Sequence, residues 1–212
     1  AMVGINPGEI QIIMEKMQSE MRKSLNLILK QFSELDYVHP EDIPNIDLYV
    51  DQVTTFIESQ LSSLKRDEDE KILTKTMINN YTKNHVLPSP DKKKYSKDHV
   101  LTLILIYYLK SFLSIKDIQT LLEPITDKYF GTESELSFYE LYEELVAQGN
   151  GQSKALIKDV IAKYNAMQNA FSDAPEEDQE FLRNFGFICM LSFDVYIKKM
   201  MIETLIDFNS QQ

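Results

Sequence analysis

Thr74-Lys75-Thr76-Met77-Ile78-Asn79-Asn80-Tyr81-Thr82-Lys83 is the stretch whose reading decides the fold. Met77, Ile78 and Tyr81 share one face of a helix over residues 74–83 and suit packing inward, with Thr74 able to cap its first turn. Lys75, Thr76, Asn79, Asn80 and Lys83 are left pointing out. Amides that pair bidentately with adenine, hydroxyls, and lysines for phosphate or guanine are what a helix seated in the major groove uses. A two-proline turn, Pro88-Ser89-Pro90, follows, and then Lys92-Lys93-Lys94-Tyr95, suited to a wing lying on the phosphate backbone. The order helix, short helix, basic turn, apolar helix is that of a winged helix-turn-helix.

Charge is distributed to match. The 212 residues carry a formal net charge of −11, which taken as a whole argues against a nucleic-acid partner. Residues 71–99 nevertheless hold seven lysines, Lys97 the last of them, opposed only by Asp91 and Asp98, a net +5. The segments on either side carry −8 each. One short basic block therefore sits in an acidic chain, and it coincides with the DNA-reading pattern.

Working outward, the chain reads as helical nearly throughout. A first helix is expected over residues 8–36, its face built from Met14, Met21, Leu25, Ile28, Phe32 and Leu35. The partial heptad Met14, Met21, Ile28, Leu35 also admits a partner helix from a second chain. A second helix is expected over 47–64 with Asp47 as its cap. Ser96 should cap a third whose residues from Val100 to Leu109 are apolar on every side, as in the middle of a core. Ser114 starts a short helix expected to end at Pro124. Helices over 134–148 and 152–171 are expected to break at Gly149-Asn150-Gly151, and a last one spans 175–208. No stretch alternates long enough to make a sheet strand. The apolar run from Phe185 to Ile197 is too short to cross a bilayer and reads as a buried helix, with Asp194 pairing to Lys198 one turn on.

The residues from Ile78-Asn79-Asn80-Tyr81 through Val86-Leu87-Pro88-Ser89-Pro90 to Lys94-Tyr95-Ser96 resemble the recognition helix and wing of MerR-type regulators. The apolar helix from Asp98, the joint Leu113-Ser114-Ile115 and Asp117-Ile118-Gln119-Thr120-Leu121-Leu122 match as well. Leu73 to Leu122 is more similar still to the bacterial family called domain of unknown function 1836, read as MerR-like transcription factors. The chain departs from the MerR pattern at Asn79, where those proteins carry Arg, and at Asn80, where they carry Tyr. Its wing is shorter and lacks their glycine, and the segment has no arginine. Lysine contacts phosphate as a point charge without the planar fork that reads guanine. Such a segment favours backbone contacts and A·T readout through Asn79 or Asn80.

These readings set the expectations. The fold is all-α, a MerR-like winged helix-turn-helix over 47–124 between an N-terminal helix and linker (1–46) and a C-terminal helical region (125–212). The function is a cytoplasmic, DNA-binding transcription regulator; the alternative is a protein-binding adaptor that keeps the winged fold without DNA. The partners are double-stranded DNA, a second copy in a homodimer and an unknown small-molecule effector, with no membrane. The effector would fit a cavity lined by Phe181, Phe185, Met190, Met200 and Met201. No enzyme is expected: there is no phosphate-cradling glycine loop, nucleophile elbow or dinucleotide fingerprint. His39, His85 and His99 lack metal-ligand spacing, the single Cys189 sits in an apolar helix, and no cofactor is implied.

Overall fold

A computed structural model of the protein describes residues 20–33, 37–132 and 136–210, and these are predominantly helical. In chain order the elements are α1 (Glu20–Ser33), β1 (Leu48–Tyr49), α2 (Val50–Leu61), α3 (Lys75–Lys83), β2 (Lys94–Tyr95), α4 (Lys97–Leu109), α5 (Ile115–Tyr129), α6 (Phe138–Gln168) and α7 (Glu176–Asn209). Short 3₁₀ turns occupy Pro40–Asp42 and Ser62–Leu64. Two compact units form. One holds Val38–Val146 and the chain from Lys199 on; the other holds the described residues up to Tyr37 together with Ala147–Lys198.

In the first unit α4 is the central element, as its all-round apolar sequence requires. Val100, Leu101, Leu103, Ile104 and Ile106 are buried, and the one buried hydroxyl there, on Thr102, donates to the Asp98 carbonyl at 2.7 Å. Its core is shared with Val53, Ile57 and Leu61 of α2, Ile78 and Tyr81 of α3, and Ile118 and Leu122 of α5. Phe138 and Tyr142 of α6 complete it, the Tyr142 hydroxyl donating to the Val38 carbonyl at 2.9 Å.

Three local expectations change here. β1 and β2 pair antiparallel, Leu48 opposite Tyr95 and Tyr49 opposite Lys94, although no strand was expected. Two-residue strands are too short to show a period of two. Because β1 takes up Leu48 and Tyr49, α2 starts at Val50 with Tyr49 in the capping position instead of Asp47, and the Tyr49 amide donates to Gln52 Oε1 at 2.9 Å. α5 runs through Pro124 to Tyr129. An interior proline costs about 3 kcal/mol; burying Leu122 and packing Ile125 and Tyr129 on the core offsets it.

In the second unit Leu25 and Leu29 of α1, Ile157 and Tyr164 of α6 and Phe187 of α7 form a small core, the Tyr164 and Phe187 rings meeting edge-on at 5.4 Å. α6 does not break at Gly149-Asn150-Gly151. A Cβ on Gly149 would lie 2.7 Å from Tyr37 Cε2, so this glycine admits a close neighbour and helix breaking is not its role. Asp194 pairs with Lys163 of α6 at 2.7 Å, and not with Lys198; Lys163 also pairs with Asp159. Ile28 and Phe32, assigned to the buried stripe of α1, are exposed, and Met14 and Leu35 lie outside the described residues.

The apolar run in α7 corrects a larger expectation. Within Phe185–Ile197 only Phe187 is buried, while Phe185, Ile188, Phe193, Val195, Tyr196 and Ile197 are exposed. Among the described residues no helix is long and apolar enough to cross a membrane.

Candidate nucleic-acid interface

α3 forms where its residues dictate. Thr74 Oγ1 accepts from the Met77 amide at 3.2 Å and caps the first turn. At the other end the Val86 amide reaches back to the Tyr81 carbonyl (2.9 Å) and the His85 amide to Thr82 (3.2 Å), the paired bonds of a Schellman close. His85 takes the left-handed position of that motif, with φ 55°. Ile78 and Tyr81 are buried and Met77 half-buried, which fixes how the helix is rotated about its axis. Lys75, Thr76, Asn79, Asn80 and Lys83 consequently lie on the exposed side. Among the described residues no hydrogen bond engages the side chains of Thr76, Asn79 or Asn80, so their donors and acceptors face solvent.

The segment leading into α3 is long: thirteen residues separate Leu61 from Lys75, where a helix-turn-helix commonly uses three or four. It is pinned instead of short. Ile72 and Leu73 are buried, the Ile72 carbonyl accepts from Lys110 Nζ at 2.9 Å, and the Ile72 amide donates to Glu58 Oε2 at 3.4 Å. Glu58 also pairs with Lys65, and that bond is the main reason its carboxyl titrates below the ordinary range. Lys110 is pushed down by burial.

After α3 the chain makes a two-residue turn. The Lys94 amide donates to the Asp91 carbonyl at 2.8 Å, and Lys92 and Lys93 at the tip have φ of 46° and 66°. Positive φ at both central positions marks a type I′ turn, which favours Asn and Gly. Two lysines held there cost about 1–3 kcal/mol each. The strain buys no packing, since both side chains are exposed; what it does is set two charges on a protruding tip.

β2 ties this tip to the start of α2. Lys94 Nζ lies 5.7 Å from the centroid of the exposed Tyr49 ring, and Asp51, two residues on, pairs with Lys75 at 2.5 Å. The turn and the first residue of α3 are thus joined through the first turn of α2. Lys97 is half-buried with its Nζ 4.6 Å from the Tyr139 ring centroid. Asp98, one of the two acids opposing the lysines, is turned away to accept from the Gly131 amide at 2.8 Å. Of the nine residues singled out from sequence, Lys75, Thr76, Asn79, Asn80, Lys83, Lys92, Lys93 and Lys94 are exposed, and Lys75 is engaged with Asp51.

His99 holds the base of the turn. Its Nδ1 accepts from the Ser96 amide at 3.0 Å, making a capping box at the start of α4, and its ring packs edge-on against Tyr95 and Phe130. Burial keeps its pKa below the ordinary 6.5, opposed in part by the Ser89 carbonyl and by Asp98. Sequence reasoning passed over Tyr49 and weighed His99 only as a metal ligand. The S-x-x-H spacing was a weak signal for the second; nothing local signals the first.

Elsewhere, the second unit carries a cleft of about 630 Å³ lined by Phe32, Tyr37, Asn150, Ser153, Leu156 and Lys198 among others. The Phe and Met residues expected to line an effector cavity do not border it. Among the described residues no three His, Cys, Asp or Glu side chains gather to hold a metal, and Cys189 is a half-buried free thiol.

No curated protein and no solved structure matches the chain. Residues 38–145, which take in the whole of the candidate interface and the core beneath it, match the model of the family described as a domain of unknown function (DUF1836), and the chain belongs to that family.

Proposed function

We propose that the chain is a sequence-specific regulator of transcription that binds double-stranded DNA through a MerR-like winged helix-turn-helix running from β1 to α5. The observation that carries this reading is the outward row of α3: Thr76, Asn79 and Asn80 present unengaged hydroxyl and amide groups on a helix whose rotation is locked by Ile78 and Tyr81. Asn79 and Asn80 suit adenine, and Lys83, Lys92, Lys93 and Lys94 suit phosphates on either side of the groove. Support also comes from the strained Lys92-Lys93 tip and from the element order strand, helix, helix, turn, helix. The Lys75–Asp51 pair is no obstacle, because an exposed ion pair is worth about 0–1 kcal/mol and exchanges readily for a phosphate. Regulators with this order dock as two-fold dimers on paired half-sites. An effector, if the protein takes one, would find room in the cleft beside Tyr37.

The test is salt dependence. Replacing Lys92, Lys93 and Lys94 together with Ala should weaken binding to all DNA sequences alike and flatten the slope of log K against log salt by up to about 0.9 per lost phosphate contact. An unchanged slope would remove the wing from the interface. The second reading, a protein-binding adaptor, is favoured by one observation, the exposed apolar surface of α7. It predicts no DNA affinity at low salt.

A further inference from the structure

The cleft of about 630 Å³ in the second unit has walls of two kinds. Phe32 in the last turn of α1, Tyr37 just beyond that helix and Leu156 of α6 supply apolar surface. Phe32 and Leu156 are each 52% exposed, so the free chain leaves this surface uncovered. The Tyr37 ring is set against α6 at Gly149, where a Cβ would lie 2.7 Å from its Cε2 and force it to move. Apolar side chains gathered around a concavity of this size, with a few polar groups among them, are what a small-molecule site offers.

We infer that the cleft binds an aromatic monocarboxylate, its ring against Phe32, Tyr37 and Leu156 and its carboxylate at Lys198. This rests on the effector part of the reading above and names the chemistry of that ligand; DNA binding is not required for it.

Charge selects the head group. Two ionised side chains line the cleft, Lys198 of α7 and Asp159 of α6. Lys163 engages Asp159 and also pairs with Asp194 at 2.7 Å. Asp194 lies one turn before Lys198, so its capture by Lys163 leaves Lys198 unpaired. Among the described residues no hydrogen bond or ion pair engages Lys198. An anion therefore gains a counter-ion in the cleft, whereas an amine would have to displace Lys163 from Asp159. The surroundings have the same sign. Residues 149–164 of α6 and 191–198 of α7 hold Lys154, Lys158, Lys163 and Lys198 against Asp159 and Asp194, a net +2. Residues 100–212 as a whole carry −8.

Lysine meets a single carboxylate as a point charge. A phosphate monoester carries nearly two charges, and among the described residues no arginine or second lysine lines the cleft to hold the other. Gln152, whose side chain makes no hydrogen bond among the described residues, adds a neutral donor. The rings of Phe32 and Tyr37 favour an aromatic body over an acyl chain, since ring pairs add to what buried area alone gives.

The experiment is calorimetric titration of the full chain, without DNA, with three probes that share one ring system: naphthylacetate, naphthylacetamide and naphthylethylamine. Naphthylacetate should saturate one site per chain in the high micromolar range. It should bind about 10-fold tighter than the amide, as for one hydrogen bond to a charged group, with the amine weakest. Lys198→Gln should bring the acid down to the level of the amide. Phe32→Ala should weaken acid and amide together, by about 3- to 10-fold, and leave their ratio unchanged. Both side chains are exposed, so the melting of the free chain should not move with either substitution. A chain that binds none of the probes, or takes acid and amide equally, would overturn the inference. So would a preference that survives Lys198→Gln, or binding indifferent to Phe32→Ala. Each of these results is read without DNA, so failure here leaves the salt test of DNA binding standing on its own.

Discussion

The α3 face of one unit and the exposed apolar row of α7 in the other (Phe181, Phe185, Ile188 and Val195) both lie on helices held by a buried opposite side, and they are opposite in chemistry. α3 presents amides, a hydroxyl and lysines above a buried core, a hydrated surface of the chemistry that would suit a polyanion. α7 presents phenylalanine, isoleucine and valine, which gain by leaving water altogether. α4 is the control for both. Its run from Val100 to Leu109 is apolar, as is the Phe185–Ile197 run of α7, yet its own chain covers it. The difference teaches that hydropathy tells how much surface must be covered, while only the fold tells whether the cover comes from within the chain.

The largest effect should separate α4 from α7. Leu103→Ala in α4 opens a cavity in the core of its unit and should lower the stability of that unit by about 2–5 kcal/mol, whereas Ile188→Ala in α7 should change monomer unfolding by no more than about 0.5 kcal/mol. Chemical denaturation of the two variants at concentrations too low for association checks this. Equal losses would mean that the apolar row of α7 is packed in the free chain.

Next in size is the sequence readout of α3. Asn79→Ala or Asn80→Ala should cost about 1–3 kcal/mol on a preferred DNA site and little on random DNA. Equal losses on both would take α3 out of the groove. The strained tip makes a smaller and opposite pair of effects. Replacing Lys92 with Asn and Lys93 with Gly suits the type I′ turn and should stabilise the fold by about 1 kcal/mol, while DNA affinity falls. A variant that gains stability without losing affinity would show that the tip charges serve no ligand.

The smallest effect is one of pH. His99 is held neutral by burial, with Asp98 and Asp47 opposing in part. Its folded pKa lies below the unfolded 6.5, so below that pH the unfolded chain binds the extra proton and stability falls; above it His99 contributes no slope. Protonation also removes the Nδ1 acceptor used by the Ser96 amide. His99→Gln keeps a capping acceptor without a titrating ring and should flatten the stability profile between pH 5 and 7. A profile that keeps its slope would assign the pH dependence to other groups.

The parts of the fold that the sequence discloses are those decided within one or two turns. Thr74 Oγ1 accepts from the Met77 amide, Ser114 Oγ from the Asp117 amide, and His99 Nδ1 from the Ser96 amide, each across three residues. The all-apolar α4 and the outward row of α3 follow from periodicity alone. What the sequence hides depends on distant neighbours. Gly149 looks like a helix breaker until Tyr37 is seen against it, and Pro124 looks like a helix end until the core beneath Leu122 and Ile125 is in place. In the candidate interface the row Lys75 to Lys83 was legible. The juxtaposition of Tyr49 with Lys94 was not, because a strand pair of two residues brings them together.

Selection of bound fragments from a genomic DNA library by the purified chain, at low salt, tests the central claim most directly. The account predicts enrichment of a two-fold-related site with A·T-containing half-sites, and loss of that preference but not of all binding when Asn80 is replaced by Ala. Recovery of unselected DNA by the wild-type chain, or no recovery at all, would contradict it.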